Sequence, residues 1–105
     1  MPDRKKIARL FASRIKEDNP GIRKIFLYGS VASGRDKKDS DIDLLVVTGG
    51  NRRHVLNRVM NDVVKTLLDT SVYVSAKVIS EREYQRLKAT HFISEIDKKG
   101  VLIGL

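Results

Sequence analysis

The sequence predicts an α/β (α+β) domain in which helices pack against one small sheet. Three observations carry that expectation: two long segments repeat apolar residues at helical spacing, two short segments run continuously apolar, and the two kinds alternate along the chain. The 105 residues suit one domain spanning 1–105. Residues 4 to 17 place Ile7, Leu10, Phe11 and Ile15 on one helical stripe, which Asn19-Pro20-Gly21 stops. Ile22 to Tyr28 reads as a buried strand ending at Gly29. Gly29 to Ser40, with two glycines and three serines, is a loop with room for one helical turn beginning at Ser30. Asp41 to Thr48 is a second strand, polar at its start and apolar over Leu44 to Val47, as in a strand covered on both faces.

Gly49-Gly50 breaks that strand, and Asn51 is placed to cap a second long helix over 52–69, with Leu56, Val59, Met60, Val63 and Leu67 at helical spacing. Ser71 to Ile79 is a half-buried third strand in which Val72, Val74 and Ala76 alternate with Tyr73, Ser75 and Lys77. Ser80-Glu81-Arg82-Glu83 fits a capping box, so a helix starts there. A short helix through Phe92, Ile93 and Ile96 ends at Gly100 and leaves an apolar tail, Val101 to Leu105. The order is α-β-α-β-α-β-α. Order alone does not fix the strand directions.

Composition narrows the chemistry. No cysteine is present, which excludes disulfides, thiolate nucleophiles and Cys-ligated zinc or iron–sulfur sites. Aromatic residues make up 6% of the chain, too few for an extended base-stacking platform. The longest apolar runs, Ile25 to Tyr28 and Leu44 to Val47, are far too short to span a membrane, and the opening Met1 to Lys6 has no apolar stretch of a signal peptide, so a cytoplasmic protein is expected. Lys and Arg number 21 against 13 Asp and Glu, a net charge of +8 that favours phosphate-bearing partners but also solvates helix surfaces.

The chemistry concentrates between the first two strands. Asp41 and Asp43, two apart on a strand, project from one face about 6.6 Å apart, at roughly 3.3 Å per residue, with Ile42 turned into the core. Like carboxylates this close repel unless a cation lies between them, and Mg²⁺ favours a few carboxylate oxygens together with substrate phosphates. Taken alone, such an acidic string also fits a surface turn. At the end of the preceding strand, Gly29-Ser30 lets backbone approach a ligand with no Cβ in the way.

Tyr28-Gly29-Ser30-Val31-Ala32-Ser33-Gly34, followed by Ser40-Asp41-Ile42-Asp43-Leu44-Leu45-Val46, resembles the signature of the DNA-polymerase-beta-like nucleotidyltransferase superfamily, in particular its minimal nucleotidyltransferases. Ten residues, 31 to 40, separate Ser30 from Asp41, the spacing of that signature. The stretch Ile96 to Ile103, with its Gly100-Val101-Leu102-Ile103, is similar to the family's ending. The resemblance implies a small mixed sheet with helices against it. It implies transfer of a nucleoside monophosphate, AMP first among them, from a nucleoside triphosphate to an acceptor hydroxyl on protein, RNA or a small molecule. In that reading Gly29, Ser30 and Ser40 bind the nucleotide, while Asp41 and Asp43 are the catalytic metal ligands for one or two Mg²⁺ ions. It further implies a HEPN-domain partner, as in toxin–antitoxin pairs, while the apolar tail Val101 to Leu105 and the helix faces suggest that another chain, or a second copy, completes the site.

One position departs from the family. Active members carry a third carboxylate on the next core strand, and counting back five residues from Ser80 places it at Ser75, with Lys77 two residues on along the same face. No Asp or Glu lies between Asp69 and Glu81, and Glu81 and Glu83 are better explained by the capping box. A catalytically weakened protein that acts by binding its partner is therefore the alternative function. His54 and His91 are expected to be exposed. Arg35, Lys37 and Lys38 lie between the two motif halves, either solvated or facing phosphate, and Tyr73 flanks the site.

Overall fold

A computed structural model describes residues 3–104; Leu105 at the end of the apolar tail, like Met1 and Pro2, lies outside them. The first helix, α1 (Arg4–Asp18), is capped by the Asp3 carboxylate, which accepts from the Lys6 amide. Its buried stripe is Ala8, Phe11, Ala12 and Ile15. Of the stripe read from sequence, Phe11 and Ile15 hold, but Leu10 is 60% exposed. The two alanines let the helix lie close against the sheet, which turns Leu10 outward.

Strand β1 (Ile22–Tyr28) leads into a single turn of helix, α2 (Gly29–Ser33), and β2 (Ile42–Thr48) follows the loop. Thus α2 begins at Gly29, one residue before the expected Ser30, and Asp41 sits one residue ahead of the strand assigned to it from sequence. Helix α3 (Arg52–Thr70) starts at Asn51, whose side chain accepts from the His54 amide. It buries Val55, Val59 and Val63, leaves Met60 and Leu67 exposed, and ends at Ser71 in the left-handed conformation, φ 63°. Strand β3 (Val74–Ser80) is shorter than the nine residues read from sequence because Ser71 terminates the helix and Val72 and Tyr73 form the connection. Both halves of the expected capping box are present at Ser80 and Glu83, opening α4 (Glu81–Leu87). Helix α5 (His91–Lys99) ends at Gly100 as expected.

The end of the chain corrects the sequence reading. Val101–Ile103 is not a free apolar tail but a fourth strand, β4, paired antiparallel to β1 with Ile25 opposite Ile103. The sheet order is β3-β2-β1-β4, with β1 antiparallel to both neighbours and β2 parallel to β3, so the sheet is mixed. The parallel pair is possible because α3 carries the chain back across one face.

Alternation along the strands divides the core into two. On one face Ile25, Leu27, Ile42, Leu44, Val46, Val74 and Val78 meet α1, α3 and Val31. On the other, Phe26, Leu45 and Val47 meet Tyr84 of α4 and Ile93 and Ile96 of α5. Helices α4 and α5 cover only part of that second face. Tyr28, Asp43, Ser75 and Lys77 lie where the cover ends. Among the described residues no helix is long and apolar enough to cross a membrane.

Candidate active site

The strand register brings the two motif halves together. Tyr28, the last residue of β1, pairs with Asp43 of β2, and Asp43 pairs in turn with Ser75 of β3. Gly29, next after Tyr28, has a φ of +76°, a conformation in which a side chain is strained. A Cβ there would collide with Asp43 Oδ2 and lie 3.3 Å from Cγ. The glycine is thus required twice, by its backbone angle and by the carboxylate pressed against it. Beyond it, Gly34 ends α2 in the left-handed conformation, and the Arg35 amide donates to the Ser30 carbonyl at 2.8 Å, closing the turn around Ser30.

Asp43 is partly buried and Asp41 is exposed, with the fully buried Ile42 between them anchoring the strand start. The Ile42 amide donates to the Tyr73 carbonyl at 3.0 Å, which ties the β2 start to the segment leading into β3. Desolvation raises the Asp43 pKa above the usual carboxylate value; the Lys77 ammonium opposes the shift and the Asp41 charge adds to it. The two aspartates therefore feel each other, as the sequence pattern required. A bound cation would relieve both the repulsion and the desolvation.

Ser40 and the loop before Asp41 are held by a residue the sequence did not single out. Arg4, only 5% exposed, donates from Nε to the Ser40 carbonyl at 2.8 Å and from Nη2 to the Lys38 carbonyl. The Ser40 hydroxyl accepts from the Lys37 amide at 2.7 Å. Nη1 of Arg4 is buried with no hydrogen-bond partner among the described residues. Arg4 also lines a cleft of about 530 Å³ together with Lys37, Lys38, Ser40, Asp41 and Tyr73. Arg4 was not legible because it stands beside Lys5 and Lys6 at the start of a basic helix, and nothing in the sequence separates a clamping arginine from a solvated one.

On the other side of the carboxylates lies an apolar cleft of about 320 Å³, lined by Tyr28, Gly29, Ala32, Phe92 and Ile96 with Lys99 at its rim. Phe92 meets the Tyr28 ring edge-on, centroids 5.7 Å apart. Lys77 reaches across β2 and donates from Nζ to the Tyr28 hydroxyl at 3.2 Å. Ser75, the position counted from sequence, stands beside Asp43 in the register. Glu83 is occupied by the cap at Ser80, bonding its amide at 2.9 Å. His54 and His91 are both exposed. Arg35 is exposed too, and does not line the cleft that Lys37 and Lys38 share.

Among the described residues no three His, Cys, Asp or Glu side chains gather to hold a metal ion. Asp41 and Asp43 offer two carboxylates, a donor set that suits one Mg²⁺ completed by substrate phosphates and water rather than by a closed protein cage.

Comparison with known proteins supports the family and the fold. A sequence model of the family described as "Polymerase beta, Nucleotidyltransferase" matches residues 6–104. No curated protein matches the sequence. Among solved structures, the fold is similar to a protein of Sulfolobus solfataricus provisionally assigned as a nucleotidyltransferase, with 24% identity, 92% of this chain and 76% of that one covered, and a TM-score of 0.57. It is also similar to a structure described as the toxin-antitoxin with AMP-PNP, at 19% identity, 90% and 70% coverage and a TM-score of 0.53.

Proposed function

We propose a function on one premise: the chain belongs to the polymerase beta nucleotidyltransferase family. In this reading the domain, residues 1–105, transfers a nucleoside monophosphate, AMP first among the candidates, from a nucleoside triphosphate to an acceptor hydroxyl. The acceptor oxygen forms a bond to the α-phosphorus, the bond from that phosphorus to the bridging oxygen breaks, pyrophosphate leaves, and the hydroxyl proton passes to water. The observation that carries the reading is the contact between Gly29 and the Asp43 carboxylate. It puts a side-chain-free backbone turn, able to approach a triphosphate, against a carboxylate able to hold its counter-ion.

Asp41 and Asp43 would hold Mg²⁺, which when bound neutralises the triphosphate and stabilises charge on the reacting oxygens. Gly29 and Ser30 orient the triphosphate tail. Ser40 fixes the loop before Asp41 through its carbonyl, and its hydroxyl, which accepts from the Lys37 amide, keeps its O–H free to donate to the nucleotide. Catalysis by these groups is positioning and charge stabilisation. Radiolabelled transfer from each of the four triphosphates, with the chain alone and with any co-purifying protein, tests the reading. Label on an acceptor that is lost in Asp41→Asn and Asp43→Asn supports it, and label that survives both substitutions refutes it.

One observation favours a second reading. With Ser75 beside Asp43, the acceptor side of the site has no carboxylate to activate the hydroxyl. A protein that binds nucleotide and a partner chain, such as a HEPN-domain toxin, while transferring slowly or not at all fits that substitution. A second copy of this chain is the other candidate partner. Ser75→Asp discriminates: a gain in transfer places the missing ligand there, and no gain removes this account of the weakness.

A further inference from the structure

We infer that Lys77 is a built-in cation of the site: the triphosphate is held between one divalent ion on Asp41 and Asp43 and the Lys77 ammonium, and no second divalent ion is bound. This rests on the reading of the site as a nucleotide site. The geometry behind it is local and specific. Lys77 lies on β3, two residues beyond Ser75, and so shares the face that carries Asp43. Its Nζ is 3.2 Å from the Tyr28 hydroxyl on β1, so the stem crosses β2 on the side where Asp43 projects. The ammonium also lies 6.0 Å and 5.9 Å from the ring centroids of Tyr28 and Phe92.

All of these partners are neutral. The Tyr28 hydroxyl, with Nζ lying beyond it at the ring edge, and the Phe92 ring orient a cation, but neither cancels its charge. Lys77 makes no ion pair within 4.0 Å among the described residues, although Asp43 is close enough to feel its charge. An ammonium held in place, left without a carboxylate and set beside a candidate metal ligand is arranged for a phosphate oxygen, a strong charge-assisted acceptor. The same charge opposes a second divalent ion on the β3 side, where Ser75 offers only a hydroxyl.

Manganese binding tests the inference without relying on turnover. Free Mn²⁺ is counted by electron paramagnetic resonance during titration of the chain in saturating AMP-PNP, and AMP-PNP affinity is measured by calorimetry at fixed Mn²⁺. The account expects one Mn²⁺ per chain in all, the ion that the bound nucleotide itself carries, and none beyond what the nucleotide binds in the absence of protein. It expects AMP-PNP affinity to fall at least about tenfold in Lys77→Met, and to be largely kept in Lys77→Arg. Lys77→Gln is a second neutral variant should the methionine disturb folding, which thermal melts report. Two Mn²⁺ ions in the unaltered chain, or full affinity in the neutral variants, overturns the inference. Asp43→Asn separates the two levels: if it abolishes binding while Lys77→Met does not, only the role of Lys77 fails; if neither matters, the nucleotide site itself is wrong.

Discussion

The two faces of the sheet are made by the same strands and do opposite things. Leu44 points into the face sealed by α1 and α3 and is fully buried; Asp43, one residue earlier, points into the face that α4 and α5 leave open at its end, and keeps a desolvated charge. A strand switches sides with every residue, so stability and chemistry can sit next to each other in sequence without sharing contacts. The core cluster on the sealed face is aliphatic and aromatic. On the open face, apolar packing by Phe26, Leu45, Val47 and Tyr84 gives way to Tyr28, Asp43, Ser75 and Lys77 within one or two residues along each strand.

If this division is right, neighbouring substitutions have separable effects. The largest is expected on the sealed face. Leu44→Ala should cost about 2–5 kcal/mol in urea unfolding, because the site is closed on all sides and a cavity remains. Whatever nucleotide affinity the folded fraction has should be retained. Gly29→Ala comes next, at about 1–3 kcal/mol, from the strained backbone angle. It should also weaken Mg-nucleotide binding, since its Cβ displaces the Asp43 carboxylate; a loss of stability with unchanged binding would break the link between turn and carboxylate.

The smallest effect has the opposite sign. Burial raises the Asp43 pKa, so the folded state holds that proton more tightly than the unfolded chain does. The uncharged side chain therefore favours folding below the unfolded-state pKa, and this contribution is lost as pH rises through the raised folded-state value. Asp43→Asn should accordingly raise the melting temperature of the metal-free protein at neutral pH, and raise it less in acid. An unchanged or lowered melting temperature at neutral pH would mean that the carboxylate is not strained by its surroundings. Divalent-ion binding to the unaltered chain should weaken on acidification through the same titration.

Much of this was legible in the sequence for reasons that can be named. Ser80 and Glu83 declare a helix start because reciprocal capping is local, and the Gly29-Ser30 and Asp41-Asp43 spacing survives as a contact because a short loop joins adjacent strands. Ser75 could be counted back from Ser80 because strand and cap are continuous. What was not legible depends on distant partners. Whether Val101–Ile103 is a tail or a strand is decided by the free edge of β1, about 75 residues away in the chain. The Arg4 clamp on Ser40 and Lys38 spans a comparable problem, since no local pattern marks which basic residue of a helix turns inward.

The central claim is that the Asp43 carboxylate against the Gly29 turn forms the floor of a metal–nucleotide site. Titration calorimetry with Mg-ATP tests it most directly when Asp43→Asn is compared with Asp69→Asn, which removes the same charge from an exposed position near the end of α3 outside the cleft. The account predicts that binding is abolished by the first and nearly unchanged by the second. Equal losses, or none, would mean that the carboxylate contributes only general charge, and would contradict the site.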